Sequence, residues 1–233
     1  MRDDVEFYKK GWLAKSLIDF DYNKKFNETI KKYVQSFYEG DSNLWIKSYS
    51  GAFDFYDDDL FINFCKSNNL ENLISNLTHQ DYKLGNVFLR MWIPGKQYLN
   101  WHRDTYFRGD ELTGRFPADV SIFFYPFFFK YLNPQLLLIE KSQRLSFDNN
   151  FLEKIQCRVS RVTKIYNSNQ KIYIINNGIL HGLPNLNKNY KKEKKEIIKQ
   201  KPFIKSNINY AYPRLIMRFC SSRNLNTYRL GSK

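Results

Sequence analysis

Two short segments of this chain carry groups that could hold a metal ion: Asn100-Trp101-His102-Arg103-Asp104-Thr105 and Gly178-Ile179-Leu180-His181-Gly182. The whole chain has only three histidines, and two of them stand in these segments. Were residues 98–104 a strand, His102 and Asp104 would be two apart and project from one face, so that an imidazole and a carboxylate converge on a single cation. His181, delivered by a distant strand, would complete a set of two histidines and one carboxylate. That set leaves three positions open on a ferrous ion, enough for a keto-acid cosubstrate and O2 together. The same donors also suit zinc with a water in its open position, which is the chemistry of a hydrolase. No H-E-x-x-H or comparable arrangement supplies the general base that such a hydrolase needs.

The elements around these segments are of the kind that hold side chains rigidly. Asn86–Ile93 is rich in apolar and aromatic residues and stops at Pro94-Gly95, which predicts a strand and a turn leading into the His102 segment. Lys171–Ile175 predicts a further strand, broken by Asn176-Asn177-Gly178 as in a tight turn, with Ile179-Leu180-His181 beginning the next. A third run, Tyr212–Cys220, predicts a strand beginning after Pro213 on which Arg214 and Arg218 share a face, four residues apart. An arginine aimed into a pocket grips a carboxylate through two parallel hydrogen bonds, as lysine cannot. On a solvated edge strand the same arginines would have no such role.

The segments Trp101-His102-Arg103-Asp104, Leu180-His181-Gly182 and Pro213-Arg214 resemble those of the phytanoyl-CoA dioxygenase-like branch of the Fe(II)/2-oxoglutarate-dependent oxygenases, and Val5–Leu13 is similar to that family's opening helix and turn. The resemblance spans nearly the whole chain. It implies a double-stranded β-helix, or jelly roll, mainly β with flanking helices and a helical N-terminal cover. It also implies Fe(II) held by His102, Asp104 and His181, with 2-oxoglutarate and O2 as cosubstrates. Arg214 would fix the far carboxylate of 2-oxoglutarate, with Arg218 the alternative. Ser121 matches a small polar position that touches the cosubstrate, and Arg90 would face the same cavity. The implied reaction hydroxylates an unactivated C–H bond and releases succinate and CO2. An acidic ligand at Asp104 argues against a halogenase, in which a small residue makes room for chloride. Two departures stand out. Ile139–Arg144 takes the place of the family's usual Pro-Gly-Ser-His, and Arg214 lies 33 residues beyond His181, across a lysine-rich insertion.

Length and composition suit one catalytic domain over residues 1–233, with a helical front at 1–80, a jelly-roll body at 86–220 and the insertion at 188–205. In the front, Asn23 is read as the cap of a helix carrying Phe26, Ile30, Tyr33, Val34 and Phe37 and ending near Gly40. Asp57-Asp58-Asp59 opens a second helix and Leu70, Leu73, Ile74 and Leu77 mark a third, all read as packing stripes without chemistry. His79 reads as a surface residue. Cys65, Cys157 and Cys220 are too few and too scattered for a disulfide framework.

Nothing in the chain approaches the length of a transmembrane span, and the charged start, Met1–Glu6, is unlike a secretory signal, so the expected place is the cytoplasm. Net charge is +14, and Lys188–Lys205 holds eight lysines against two glutamates. Such a run is usually a solvated loop. It would also attract an anionic small-molecule substrate such as a phosphate, a nucleotide-linked sugar or a coenzyme A ester. A nucleic acid fits less well, since only Tyr190 and Phe203 offer stacking there. A jelly-roll protein that binds polyanions without catalysis is the remaining alternative, and the intact ligand set speaks against it.

Overall fold

A computed structural model of the chain describes residues 2–18, 20–39, 44–48, 52–92, 101–104, 119–125, 136–144, 150–166, 170–182 and 212–221. The expected turn at Pro94-Gly95, residues 98–100 and the lysine-rich insertion lie outside them. Among these residues, helices α1 (Asp3–Lys10), α2 (Phe20–Glu39), α3 (Asp58–Ser67), α4 (Leu70–Thr78) and α5 (Asn150–Val159) accompany ten strands. These are β1 (Trp12–Ser16), β2 (Ile46–Lys47), β3 (Phe53–Phe55), β4 (Tyr82–Trp92), β5 (Asp119–Phe124), β6 (Leu136–Ile139), β7 (Val162–Ile165), β8 (Lys171–Asn176), β9 (His181–Gly182) and β10 (Tyr212–Ser221).

The strands form a seven-stranded antiparallel sheet, in the order β1-β8-β5-β10-β4-β3-β2, and a three-stranded one, β7-β6-β9. Period-two alternation assigns the two faces of the large sheet. Leu215, Met217 and Phe219 on β10, Val87, Leu89 and Met91 on β4, Val120, Ile122 and Phe124 on β5, and Ile172 and Ile174 on β8 form one core with the helices. Phe26, Ile30 and Val34 of α2, Phe61 and Phe64 of α3, and Ile74 and Leu77 of α4 supply its other side. The intervening residues, Ile216, Phe88, Phe123, Tyr173 and Ile175, form a second core with Leu136 and Leu138 of β6, Ile165 of β7 and Ile179. Two sheets packed face to face, one of them roofed by helices, are the expected jelly roll with its helical cover. No helix among the described residues is long and apolar enough to cross a membrane.

Several local expectations change. Asn23 does not cap α2, which begins at Phe20. It is buried, and its amide exchanges two hydrogen bonds with the amide of Asn68, at 3.3 and 3.0 Å, tying α2 to the α3–α4 junction. Asp57 does cap α3, where the Leu60 N–H donates to Asp57 Oδ1 at 3.0 Å. The front is not purely helical, because β1 closes one edge of the large sheet against β8, and β2 and β3 close the other. The body is not purely strands either, since α5 intervenes between β6 and β7. Gly11, with φ +83°, ends α1 in the left-handed region, its N–H donating to Phe7 O at 2.7 Å. Any other residue there would be strained by the left-handed backbone, and its Cβ would come within 2.4 Å of Gln143 Oε1, which would have to move.

Candidate metal centre

The expected strand over 98–104 is, among the described residues, a single bridge. The His102 N–H donates to the His181 carbonyl and the His181 N–H to the His102 carbonyl, each at 3.0 Å. Beyond His102 the backbone is held by Asn177, whose carbonyl accepts from the Asp104 N–H at 3.0 Å. The convergence of His102 and Asp104 therefore comes from this bridge and the 177 turn, not from strand alternation. The bridge brings the two imidazoles together, with ring centroids 4.3 Å apart and planes tilted by 51°. Asp104 Oδ1 lies 3.4 Å from His102 Nε2 and 3.7 Å from His181 Nε2, and the donor atoms of all three residues fall within 4.8 Å of one another.

His181 has one ring nitrogen available to a metal. Its Nδ1 lies 3.0 Å from the Ile179 carbonyl, and since a carbonyl only accepts, Nδ1 carries the proton and Nε2 turns a lone pair toward Asp104. Burial pulls the imidazole down to a pKa of about 4, against the attraction of Asp104, so the ring is neutral near pH 7. Burial alone would raise the Asp104 carboxyl. In acid, where His181 takes up a proton, its attraction, the hydrogen bond to His102 and the charge of Arg218 outweigh burial and hold the group ionised well below the usual carboxylate range. A neutral imidazole and an ionised carboxylate are the forms that bind a metal.

The frame behind these ligands is polar and connected. Arg103, buried between the two ligands in sequence, sends Nη1 to the carbonyls of Ser142, at 2.8 Å, and Gly178. Ser142 Oγ accepts from the Leu180 N–H at 2.7 Å, one residue before His181. The Lys141 N–H donates to the Lys10 carbonyl, and the Gln143 side chain to the Tyr8 carbonyl. The Ile139–Arg144 segment thus fastens the His181 loop to the end of α1.

A pocket opens onto the three donors, lined besides them by Arg90, Arg214, Arg218, Phe123, Leu136 and Ile216 among others. All three arginines stand on its inner face, each in a different setting. Arg90 grips Asp54 through Nε and Nη2, both at 2.6 Å. Arg214 is buried, its guanidinium 5.0 Å from the centre of the Phe123 ring, beside Tyr125. Burial pushes the Tyr125 phenol up to about 12, against the pull of the Arg214 charge. Arg218, part-exposed, donates Nη2 to Asp104 Oδ2 at 3.0 Å. Ser121 is fully buried across from Arg218, not beside Arg214, and its hydroxyl has no hydrogen-bond partner among the described residues. His79 sits at the far end of α4, its Nε2 2.9 Å from Asp4. The structural parts of Arg103, Ser142, Asp54 and Tyr125 had no signal in the sequence: three contact backbone or aromatic groups, and Asp54 lies in a front read as helical.

No family model matches the sequence, and no curated protein is similar to it. The fold is similar to several solved structures. AviO1 from Streptomyces viridochromogenes Tue57 superposes with a TM-score of 0.64 at 11% identity, over 94% of each chain. EctD from S. alaskensis, solved with 2-oxoglutarate and 5-hydroxyectoine, gives 0.64 at 10% identity over 96% of this chain and 76% of that one. HygX from Streptomyces hygroscopicus, solved with nickel, 2-oxoglutarate and hygromycin B, gives 0.60 at 10% identity over 95% and 88%. At such identities the likeness is one of fold, and this chain has the jelly-roll architecture of those proteins.

Proposed function

We propose that this chain is a non-haem Fe(II)/2-oxoglutarate-dependent oxygenase of the phytanoyl-CoA dioxygenase-like kind, one domain over residues 1–233, that hydroxylates an unactivated C–H bond of a small-molecule substrate. The observation that carries the reading is the convergence of His102, Asp104 and His181 at the floor of an open pocket between the two sheets. Similar folds in EctD and HygX, solved with 2-oxoglutarate, support it. The donor set, two imidazole nitrogens and one carboxylate oxygen, is one that would suit ferrous iron.

Iron with 2-oxoglutarate and O2 would supply an oxidant strong enough for such a C–H bond, with succinate and CO2 as the other products. The chain's own residues do the positioning. His181 is oriented by the Ile179 carbonyl and Asp104 by the Asn177 carbonyl through its N–H. Arg214 presents a planar fork at the buried end of the pocket, suited to the distal carboxylate of the cosubstrate, with Tyr125 beside it. Phe123, Leu136 and Ile216 give the cavity apolar walls that exclude water from the reacting groups. Ser121 is a further cosubstrate candidate only if the ligand reaches below Arg218. The Lys188–Lys205 run, read from its charge alone, favours an anionic substrate.

The test is anaerobic addition of Fe(II) and 2-oxoglutarate. The expected result is the weak visible charge-transfer band of a metal-chelated keto acid, lost in Asp104→Ala and in His181→Ala. A band unchanged in both variants removes these residues from the site, and turnover with zinc alone would favour the hydrolase.

A further inference from the structure

The two oxygens of Asp104 keep different company. Oδ1 faces the Nε2 atoms of His102 and His181, at 3.4 and 3.7 Å, whereas Oδ2 accepts from Arg218 Nη2 at 3.0 Å. The backbone contact to Asn177 fixes where Asp104 starts but not the plane of its carboxylate. Free to turn, a carboxylate offers a cation one oxygen or both. Arg218 is itself aimed by an irregularity in the sheet. Along the β4–β10 ladder Arg218 faces Asn86 while Phe219 faces Leu84, so Gly85 has no partner and the register slips at Arg218. Bulges of this kind re-aim a side chain beside a site.

Counting positions gives the contact a consequence. Three residues that each give one atom leave three sites on a six-coordinate ion, two for a chelating keto acid and one for O2. A carboxylate that gives two atoms leaves only two sites, and the keto acid must then compete with Oδ2. Resting on the iron and 2-oxoglutarate reading above, we propose that Arg218 is a positioning residue: it pins Oδ2 of Asp104 so that the carboxylate gives the metal a single oxygen and the neighbouring position stays open for the keto acid. This separates Arg218 from Arg214, to which the proposed function assigns the distal carboxylate of the cosubstrate.

The experiment titrates the anaerobic Fe(II) protein with 2-oxoglutarate and, separately, with pyruvate, which has the same keto-acid head but no distal carboxylate. Uptake of one equivalent of Co(II), read from its visible absorption, checks that each variant still has a metal site. Arg218→Met is expected to raise the half-saturating concentration of both keto acids by a similar factor, about ten to one hundred, the usual weight of a group that orients a metal ligand. Arg218→Lys, which keeps one donor, is expected to fall between. Because a carboxylate that gives both oxygens keeps its metal, Arg218→Met should still take up Co(II); failure to do so with the fold intact by circular dichroism would show that Arg218 is needed for metal binding itself and would overturn the proposal. A loss for 2-oxoglutarate with none for pyruvate would make Arg218 an anchor of the distal carboxylate and overturn the proposal, as would no change with either. If the unaltered protein gives no band with either keto acid, the iron reading itself fails.

Discussion

Replacing Arg103 with methionine keeps most of the side chain's bulk and removes the guanidinium that ties three loops together. Its Nη1 donates to the carbonyls of Ser142 and Gly178, and Nη2 reaches Gln156 Oε1 at a weaker 3.4 Å. A hydrogen bond involving a charged group is worth about 1.5–3 kcal/mol, and a buried carbonyl left without a partner costs about 1–3 kcal/mol. Removing a buried charge gives some of this back, because its desolvation no longer has to be met. The balance for two good bonds and one weak one is a loss of about 2–4 kcal/mol, or roughly 5–15 °C in Tm for a chain of this size. Since Gly178 and Ser142 are the supports of the His181 loop, metal affinity should fall with stability, by about tenfold or more. Thermal unfolding followed by circular dichroism, and Co(II) titration well below the transition, measure the two effects. Arg103→Lys, with one donor group in place of a fork, should lie between. A Tm within about 2 °C of the unaltered protein would refute the clamp. A large loss of stability with unchanged Co(II) affinity would show that Arg103 holds the fold without positioning the ligands.

Arg214→Lys should raise the 2-oxoglutarate requirement by about one to two powers of ten, from the roughly 1.5–3 kcal/mol of a charge-assisted bond, and leave pyruvate unaffected. Equal effects on both keto acids would show that Arg214 acts on the metal site instead. At the other end of the molecule, Asp4 is held below the usual carboxylate range by its hydrogen bonds to Arg2 and then His79. A depressed folded-state value stabilises the fold at pH above the unfolded carboxyl's value, about 3.9, and that gain fades as the pH falls below it. The Tm of Asp4→Asn should therefore lie below that of the unaltered protein at neutral pH and approach it in acid. A constant gap between pH 7 and 3 would mean that the contacts of Asp4 do not depend on its charge.

What the sequence revealed and what it hid follow from the range of the interactions. The strands β4 and β8 were legible as apolar runs because a strand packed on both faces must be apolar on both, and Arg214 and Arg218 fell on one face of β10 because their spacing is even. The start of α3 at Asp57-Asp58-Asp59 was legible because acidic groups favour the positive end of a helix, and the cap that Asp57 forms there is local, its partner Leu60 being three residues away. Asn23 has the same capping chemistry, but its partner is Asn68, and nothing near Asn23 distinguishes a cap from a tertiary amide pair. The strand expected at 98–104 depended on alternation, whereas His102 and Asp104 are held by His181 and Asn177, far along the chain.

Arg103 is the extreme case. It fills the unspecified place between the two ligands, and it binds backbone carbonyls that every residue possesses, so no side-chain type at 142 or 178 announces the contact. The candidate metal donors could be found because imidazoles are chemically distinctive and, at three in the chain, rare here, and a carboxylate stands two residues from one of them. The groups that aim them bind peptide carbonyls or, as Arg218 does, a residue already counted as a ligand. Donor identity in such a site is thus a property of the sequence, while donor orientation, which decides how many positions a metal keeps open, is a property of the fold.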